Sequence, residues 1–172
     1  MRKIRKPYQA KTVAKFLIEE AEAAEPTICM TNSKLNSMLY YVQAWYMIKY
    51  GAPCFIDDLC ACSWGVVVEE VYYTFCMYDN CSLWSIMAKK IETDEKLKKK
   101  DQKQICKVLY KMGIYDAAIL NRAIMNQRPY YDIYTTTNGA NGIFGVITLG
   151  SLREYFLWKE KNDKIWIRQN LK

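Results

Sequence analysis

No histidine occurs in the 172 residues. That removes the mechanisms that need an imidazole titrating near neutrality, triads and proton shuttles included. Seven cysteines are left as possible nucleophiles or ligands: Cys29, Cys54, Cys60, Cys62, Cys76, Cys81 and Cys106. A cysteine nucleophile would need another base, and spacing marks none. Cys54, Cys60, Cys62, Cys76 and Cys81 are the candidate zinc set, but structural zinc sites use paired ligands two to four residues apart. This set has no C-x-x-C and no histidine to complete it. The cysteines read better as small buried hydrophobes, and neither a metal nor another cofactor is expected.

The remaining chemistry-bearing patterns are weaker. Asp57-Asp58 and Glu69-Glu70 are adjacent pairs, and neighbours on a helix or strand point in different directions. Caps and solvated surface explain them. Gly139, Gly142 and Gly145 are three apart, but no Lys-Ser/Thr follows and no long helix opens there, so a turn is favoured over a phosphate loop. Lys96, Lys98, Lys99, Lys100 and Lys103 form the densest basic run, interrupted by Asp94, Glu95 and Asp101. They occupy helix positions that the apolar stripe leaves free, the pattern of a solvated face, with nucleic-acid binding as the sharper alternative. An enzyme is not expected.

These residues must be carried by a folded core, and composition supplies one. Apolar residues make up 51% of the chain, with 14 Tyr, 5 Trp and 5 Phe. Disordered chains lack that aromatic content. An odd cysteine count argues against an extracellular disulfide framework, so reduced thiols and a cytoplasmic location are expected. The basic opening Met1-Arg2-Lys3-Ile4-Arg5-Lys6 leads to Pro7 and more lysines, not to a secretory apolar run. The uncharged stretch Leu35 to Ile48 is too short and too polar to span a bilayer. Formal charge is +7, from 25 Lys+Arg against 18 Asp+Glu, and the excess sits at the two ends and in one helix.

Periodicity predicts a mainly α, compact single helical domain over 1–172, with about six helices and a small β element. Val13, Phe16, Leu17, Ala21 and Ala24 mark a helix over Thr12 to Ala24, stopped by Pro26. Thr31-Asn32-Ser33 offers caps for a second helix, Lys34 to Tyr50, ended by Gly51 and Pro53. Its stripe is Leu35, Met38, Leu39, Val42, Trp45 and Tyr46. The opposite face of Ser37, Tyr40, Ala44, Met47 and Ile48 is nearly apolar too, so this helix is either central or docks something. A strand at Leu59 to Ser63 leads through Trp64-Gly65 into a third helix lined by Val68, Val71, Tyr72 and Phe75, a strand–turn–helix near 59–75. A fourth helix is expected from Thr93 to Met112, with Asp94 and Glu95 in its first turn. A fifth runs from Asp116 to about Gln127, ended by Pro129. A hairpin near 133–147, a helix from Thr148 through Trp158, and a strand or frayed tail at Lys164 to Arg168 complete the expectation.

Several of these segments are recognisable together. Thr12-Val13-Ala14-Lys15-Phe16-Leu17, the run Lys34 to Tyr46, Gly51-Ala52-Pro53-Cys54-Phe55 and the run Ala61 to Tyr72 follow an order that resembles the Panacea domain. That family includes the phage-associated GepA-like and SocA-like proteins. The resemblance covers about residues 13–156, leaving basic N-terminal and C-terminal tails. It implies a compact helical domain with a small β element, commonly an antitoxin that holds a toxic partner inactive by contact, without cofactor or catalytic residue. Relative to the family pattern, Cys62 stands at a Trp position, Val66 and Glu69 at Pro positions, and Tyr130 at a second Trp position.

The expected function is therefore non-catalytic neutralisation of a protein partner. The alternatives are a phage- or mobile-element-borne inhibitor of a host defence protein, in the manner of an anti-CRISPR, and a nucleic-acid-binding module. Adjacent helical residues point about 100° apart, so Tyr40-Tyr41 and Tyr72-Tyr73 cannot both lie inward. Trp64, Tyr40 and Tyr73 are the candidate partner anchors, with Val66 and Glu69 beside them at the departures from the family pattern. The competing reading is that all three are packed by neighbouring helices, and for Tyr40 the nearly apolar outer face of its helix supports that reading equally.

Overall fold

The computed structural model describes residues 6–137 and 145–162. Among them eight α-helices and a three-stranded antiparallel sheet follow in the order α1 (Ala10–Ala23), α2 (Asn32–Tyr50), β1 (Leu59–Cys62), β2 (Gly65–Val67), α3 (Glu69–Phe75), α4 (Ser85–Ala88), α5 (Lys99–Met112), α6 (Ala117–Met125), α7 (Arg128–Thr136), β3 (Gly145–Ile147) and α8 (Leu149–Asn162). The mainly helical architecture matches the expectation, with more and shorter helices than the six anticipated. No helix of the described residues is long and apolar enough to cross a membrane.

α2 is central. Thr31 caps it, its hydroxyl accepting from the Lys34 N–H at 3.2 Å, and Gly51 closes it in the left-handed conformation at φ 64°. Both ends behave as their residue types require. Between them, apolar and polar residues alike are buried on every side, and α1, α5, α6 and α8 pack around the result. A helix buried all round must satisfy its polar groups internally, and α2 does so for all its buried polar side chains but Ser37, largely against surrounding backbone. Gln43 Oε1 accepts from the N–H groups of Cys54 (2.7 Å) and Phe55 (3.3 Å), and its Nε2 donates to the Phe55 carbonyl. Asn36 Oδ1 accepts from Val68 N–H at 2.8 Å, and Asn32 Nδ2 donates to the Tyr72 carbonyl at 2.9 Å. Lys34 Nζ donates to the Gly113 carbonyl at 2.6 Å.

The sheet has the order β2-β1-β3. β1 pairs Cys60 with Val67 and Cys62 with Gly65 in a tight hairpin, and Leu59 with Ile147 on its other edge. Period-2 alternation sends Leu59, Ala61, Val66 and Ile147 into the main core, while Cys60, Cys62 and Val67 form a separate cluster on the outer face.

Four sequence expectations are corrected. The hairpin lies at β1–β2, with β2 inserted before the third helix, not near 133–147. Ile133 to Thr136 belong to α7, only 145–147 is strand, and 138–144, with Gly139 and Gly142, lie outside the described residues. Pro129 does end the preceding helix, but it also opens α7 as a first-turn proline that needs no amide partner. The helix expected from Thr93 starts at Lys99. The intervening segment is held extended because Glu95 accepts from the Gln9 N–H and the Thr12 hydroxyl, both at 2.8 Å, closing the N-terminus of α1. Asp101, read as a break in the lysine run, is buried and accepts from the hydroxyls of Tyr8 (2.6 Å) and Tyr46 (3.1 Å). The segment Lys164 to Arg168 lies outside the described residues.

Ser37 Oγ is the one buried side-chain polar atom without a partner among the described residues. Two neighbouring substitutions on α2 should therefore differ sharply. Gln43→Ala strands two buried amides and should lower unfolding stability by about 3 kcal/mol, whereas Ser37→Ala removes an unsatisfied hydroxyl and should change it by less than about 1 kcal/mol. Urea denaturation followed by far-UV circular dichroism measures both, and equal losses would show that the Gln43 bonds do not anchor the 54–55 turn.

Candidate functional site: an aromatic ledge at the sheet corner

The turn Ser63–Trp64 joins β1 to β2 and places one ring at the surface. Gly65 follows at φ +133°, and a Cβ there would sit 2.0 Å from Asn121 Oδ1. Only glycine meets both conditions. Asn121 Nδ2 in turn donates to the Trp64 carbonyl at 2.7 Å, so α6 braces the corner. Trp64 is 46% exposed and Tyr73 56%. Between them lies Tyr72, half-buried, with ring centroids 5.7 Å from Trp64 and 5.4 Å from Tyr73. Tyr72 was expected on the inner stripe of α3. It instead packs on Cys60, Cys62 and Val67, while Val71 and Phe75 take the core side of α3, which packs on α1 and α2. The three rings form one continuous ledge.

One carboxylate, Glu69, stands at its rim. Glu69 is exposed in the first turn of α3, with the Cys60 thiol 4.0 Å from its Oε1. Glu70, its neighbour, points elsewhere and pairs with Lys11 at 3.3 Å, so the adjacent acids diverge as their helical spacing requires. Asp57 caps α1 from a distance, accepting from Ala10 N–H at 2.6 Å. Burial, reinforced by the charges of Glu69 and Asp58, pushes the Cys60 thiol up to about 11. Burial likewise raises Cys62 to about 11, partly opposed by the backbone amides of Trp64 and Gly65. Thiols so protonated at neutral pH are poor nucleophiles and poor ligands. Among the described residues no three Cys, Asp or Glu side chains converge in a metal-binding arrangement.

Of the five sequence-selected residues, the structure brings Trp64, Glu69 and Tyr73 to this ledge and withdraws two. Tyr40 is fully buried, its hydroxyl donating to Gln127 Oε1 at 2.8 Å and its ring edge-on to Tyr41 and Phe156. The opposite face of α2 is covered by α6 and α8, so the packing alternative holds for Tyr40. Val66 is buried as well, its side chain on the core face of β2; it shapes the corner without reaching its surface. Sequence reasoning missed Tyr72 as a surface ring because the strand β2 went unrecognised. Two positions that depart from the family pattern also meet, since the Tyr130 hydroxyl donates to the Cys62 carbonyl.

A second concavity, a groove of about 490 Å³ between α7 and α8, is lined by Arg128, Ile133, Glu154, Tyr155 and Trp158. It contains no thiol, and burial alone raises its Tyr155 hydroxyl to about 12.

The model of the antitoxin SocA-like Panacea domain matches residues 35–130. The chain belongs to this family. The match runs from α2 through the sheet corner, α3 and α5 to the first residues of α7, and so contains the whole ledge. It is narrower at both ends than the resemblance over 13–156: α1, β3 and α8 lie outside it. No curated protein and no solved structure matches the chain significantly. The Panacea family is antitoxin-like and generally non-enzymatic.

Buried hydroxyls and thiols make stability fall at high pH. Burial raises Tyr40, Tyr41 and Tyr130 above the usual 10.0, and Cys60 and Cys62 above 9.0. The unfolded chain releases these protons first, so it binds fewer protons and stability declines as pH rises. The contribution is complete below pH 9.0 and is lost progressively above it. Thermal melts from pH 7 upward should show a plateau and then a steep fall from about pH 9–10. In parallel, a thiol reagent at neutral pH should modify exposed Cys29, Cys76 and Cys81 quickly and buried Cys54, Cys60 and Cys62 only on unfolding. A flat alkaline melt, or fast labelling of Cys60, would contradict this arrangement.

Proposed function

We propose that the protein neutralises a partner protein by direct contact, as an antitoxin does, with the Trp64–Tyr72–Tyr73 ledge as the contact surface and Glu69 at its rim. The observation that carries this reading is the ring-to-ring continuity of the three aromatics, two of them largely exposed, inside the span that matches the family model. Trp and Tyr dominate binding energy at interfaces, because a rigid ring buries a large area with little loss of side-chain freedom. The polar tips of Tyr72 and Tyr73 allow such rings to stand in water before the partner arrives. Asn36 and Asn32 of α2 hold both the start of α3 and the Tyr72 carbonyl, so the ledge is presented on a fixed support. Neutralisation by contact requires no cofactor and no acid–base group, in keeping with a corner whose thiols stay protonated.

Removal of an anchor should separate binding from folding. Trp64→Ala and Tyr73→Ala should each shift stability by less than about 1 kcal/mol, as surface substitutions do. Each should weaken partner binding by at least ~2 kcal/mol, a factor of about 30. Tyr40→Ala should instead lose about 3–5 kcal/mol of stability, as truncation of a buried aromatic does. A photo-crosslinking residue in place of Tyr73, introduced in the native host, should link to one protein. That protein, expressed alone, should arrest growth and be rescued by the wild-type chain but not by Trp64→Ala. A linked protein with no effect on growth that restricts foreign DNA would instead make the chain an inhibitor of defence. Full rescue by well-folded Trp64→Ala and Tyr73→Ala variants would remove the ledge from the interface.

A further inference from the structure

Charge is segregated along the chain. Between Gly51 and Ala88 there are five acids and no Lys or Arg, whereas Lys89 to Lys111 carries nine lysines and four acids. The fold separates the two signs further by direction. Of those four acids, Asp101 is buried against the hydroxyls of Tyr8 and Tyr46, and Glu95 is engaged by Gln9 and Thr12 at the start of α1. The lysines face out. Lys100, Lys103, Lys107 and Lys111 recur at three- and four-residue spacing on the side of α5 opposite Ile105, Leu109 and Met112, and all four are exposed.

Lys49, from the last turn of α2, joins this stripe. Its Nζ donates to Gln104 Oε1 at 2.6 Å and lies 5.2 Å from the Trp45 ring centroid. Partial desolvation, and after it the charges of Lys107 and Lys100, lower its pKa. Among the described residues none of these five lysines forms a salt bridge. The stripe from Lys100 to Lys111 is about 16 Å long, the axial rise of about five phosphates along one strand of a duplex. Protein-docking faces are depleted in lysine and organised around apolar anchors. Here the outward positions 100, 103, 107 and 111 are all lysine, with the exposed ring of Tyr110 beside them, and the regular spacing of the four charges suits a row of phosphates better than a protein face.

We propose that this ridge of α5, with Lys49, binds the phosphate backbone of a nucleic-acid duplex without reading its sequence, as a second binding function separate from the aromatic ledge. The probe is a fluorescently labelled DNA duplex of mixed sequence, titrated with the full chain over a range of NaCl concentrations. Wild type should bind at low salt, with log K falling linearly against log salt. The variant Lys100→Gln/Lys103→Gln/Lys107→Gln should melt like wild type, and its slope should be shallower by about 2.7, or 0.9 for each lost phosphate contact. Trp64→Ala with Tyr73→Ala should bind DNA as wild type does, so that failure of the ledge and failure of the ridge are read independently. The proposal is overturned if wild type ignores the duplex at low salt or if the triple variant keeps the wild-type slope. It is overturned equally if polyglutamate competes as well as unlabelled duplex, which would make the ridge a docking face for acidic protein.

Discussion

α2 runs through the middle of the molecule with almost no face to water, yet it carries two asparagines, a glutamine, a lysine and three tyrosines among its buried residues. A buried polar group without a partner costs more than its hydrogen bond returns. Each of these side chains must therefore find a donor or acceptor, and the available ones belong to turns and helix ends around it. Asn36 takes the amide at the start of α3 and Gln43 the amides of the 54–55 turn. Tyr46 reaches Asp101 in the first turn of α5, and Lys34 the carbonyl that ends the same helix. Gln127, between α6 and α7, is held by Tyr40 and Tyr41. The polar groups of one helix thus fix where the other elements begin and end, while its apolar groups supply the contacts that bury them.

This dependence explains which parts of the fold were legible in the sequence. α1, α2 and α8 were readable because three-four periodicity is a local property, joined at α2 and α8 by the caps Thr31 and Thr148. The late start of α5 was not, because the residues that resemble its first turn are recruited by α1: Glu95 has the right type for a helix N-terminus but serves a different one. β2 was missed because three residues buried on both faces show no alternation. The cluster of Cys60, Cys62 and Val67 on the outer face of the sheet is what Tyr72 packs against, whereas helical periodicity alone sends it inward with Val71 and Phe75. Tyr40 failed for the opposite reason. Its position on α2 was judged correctly as opposite the main stripe, but a helix covered on both sides has no outer face, and periodicity cannot count neighbours. Trp64, Glu69 and Tyr73 were legible at the surface because a turn, a helix first turn and a helical offset each constrain direction locally.

The corner that carries the ledge is rigid for reasons that lie beneath it. Gly65 allows β2 to approach α6 closely enough for Asn121 to grip the Trp64 carbonyl. Below the turn, Tyr130 donates to the Cys62 carbonyl and so ties the end of β1 to α7, and the half-buried Tyr72 packs on Cys60, Cys62 and Val67. Rings held in this way have less side-chain freedom to lose on being covered than mobile rings have. The corner is thus tied to α6 and α7 through two backbone carbonyls, while the hydrogen bonds from α2 fix the start of α3 and the Tyr72 carbonyl.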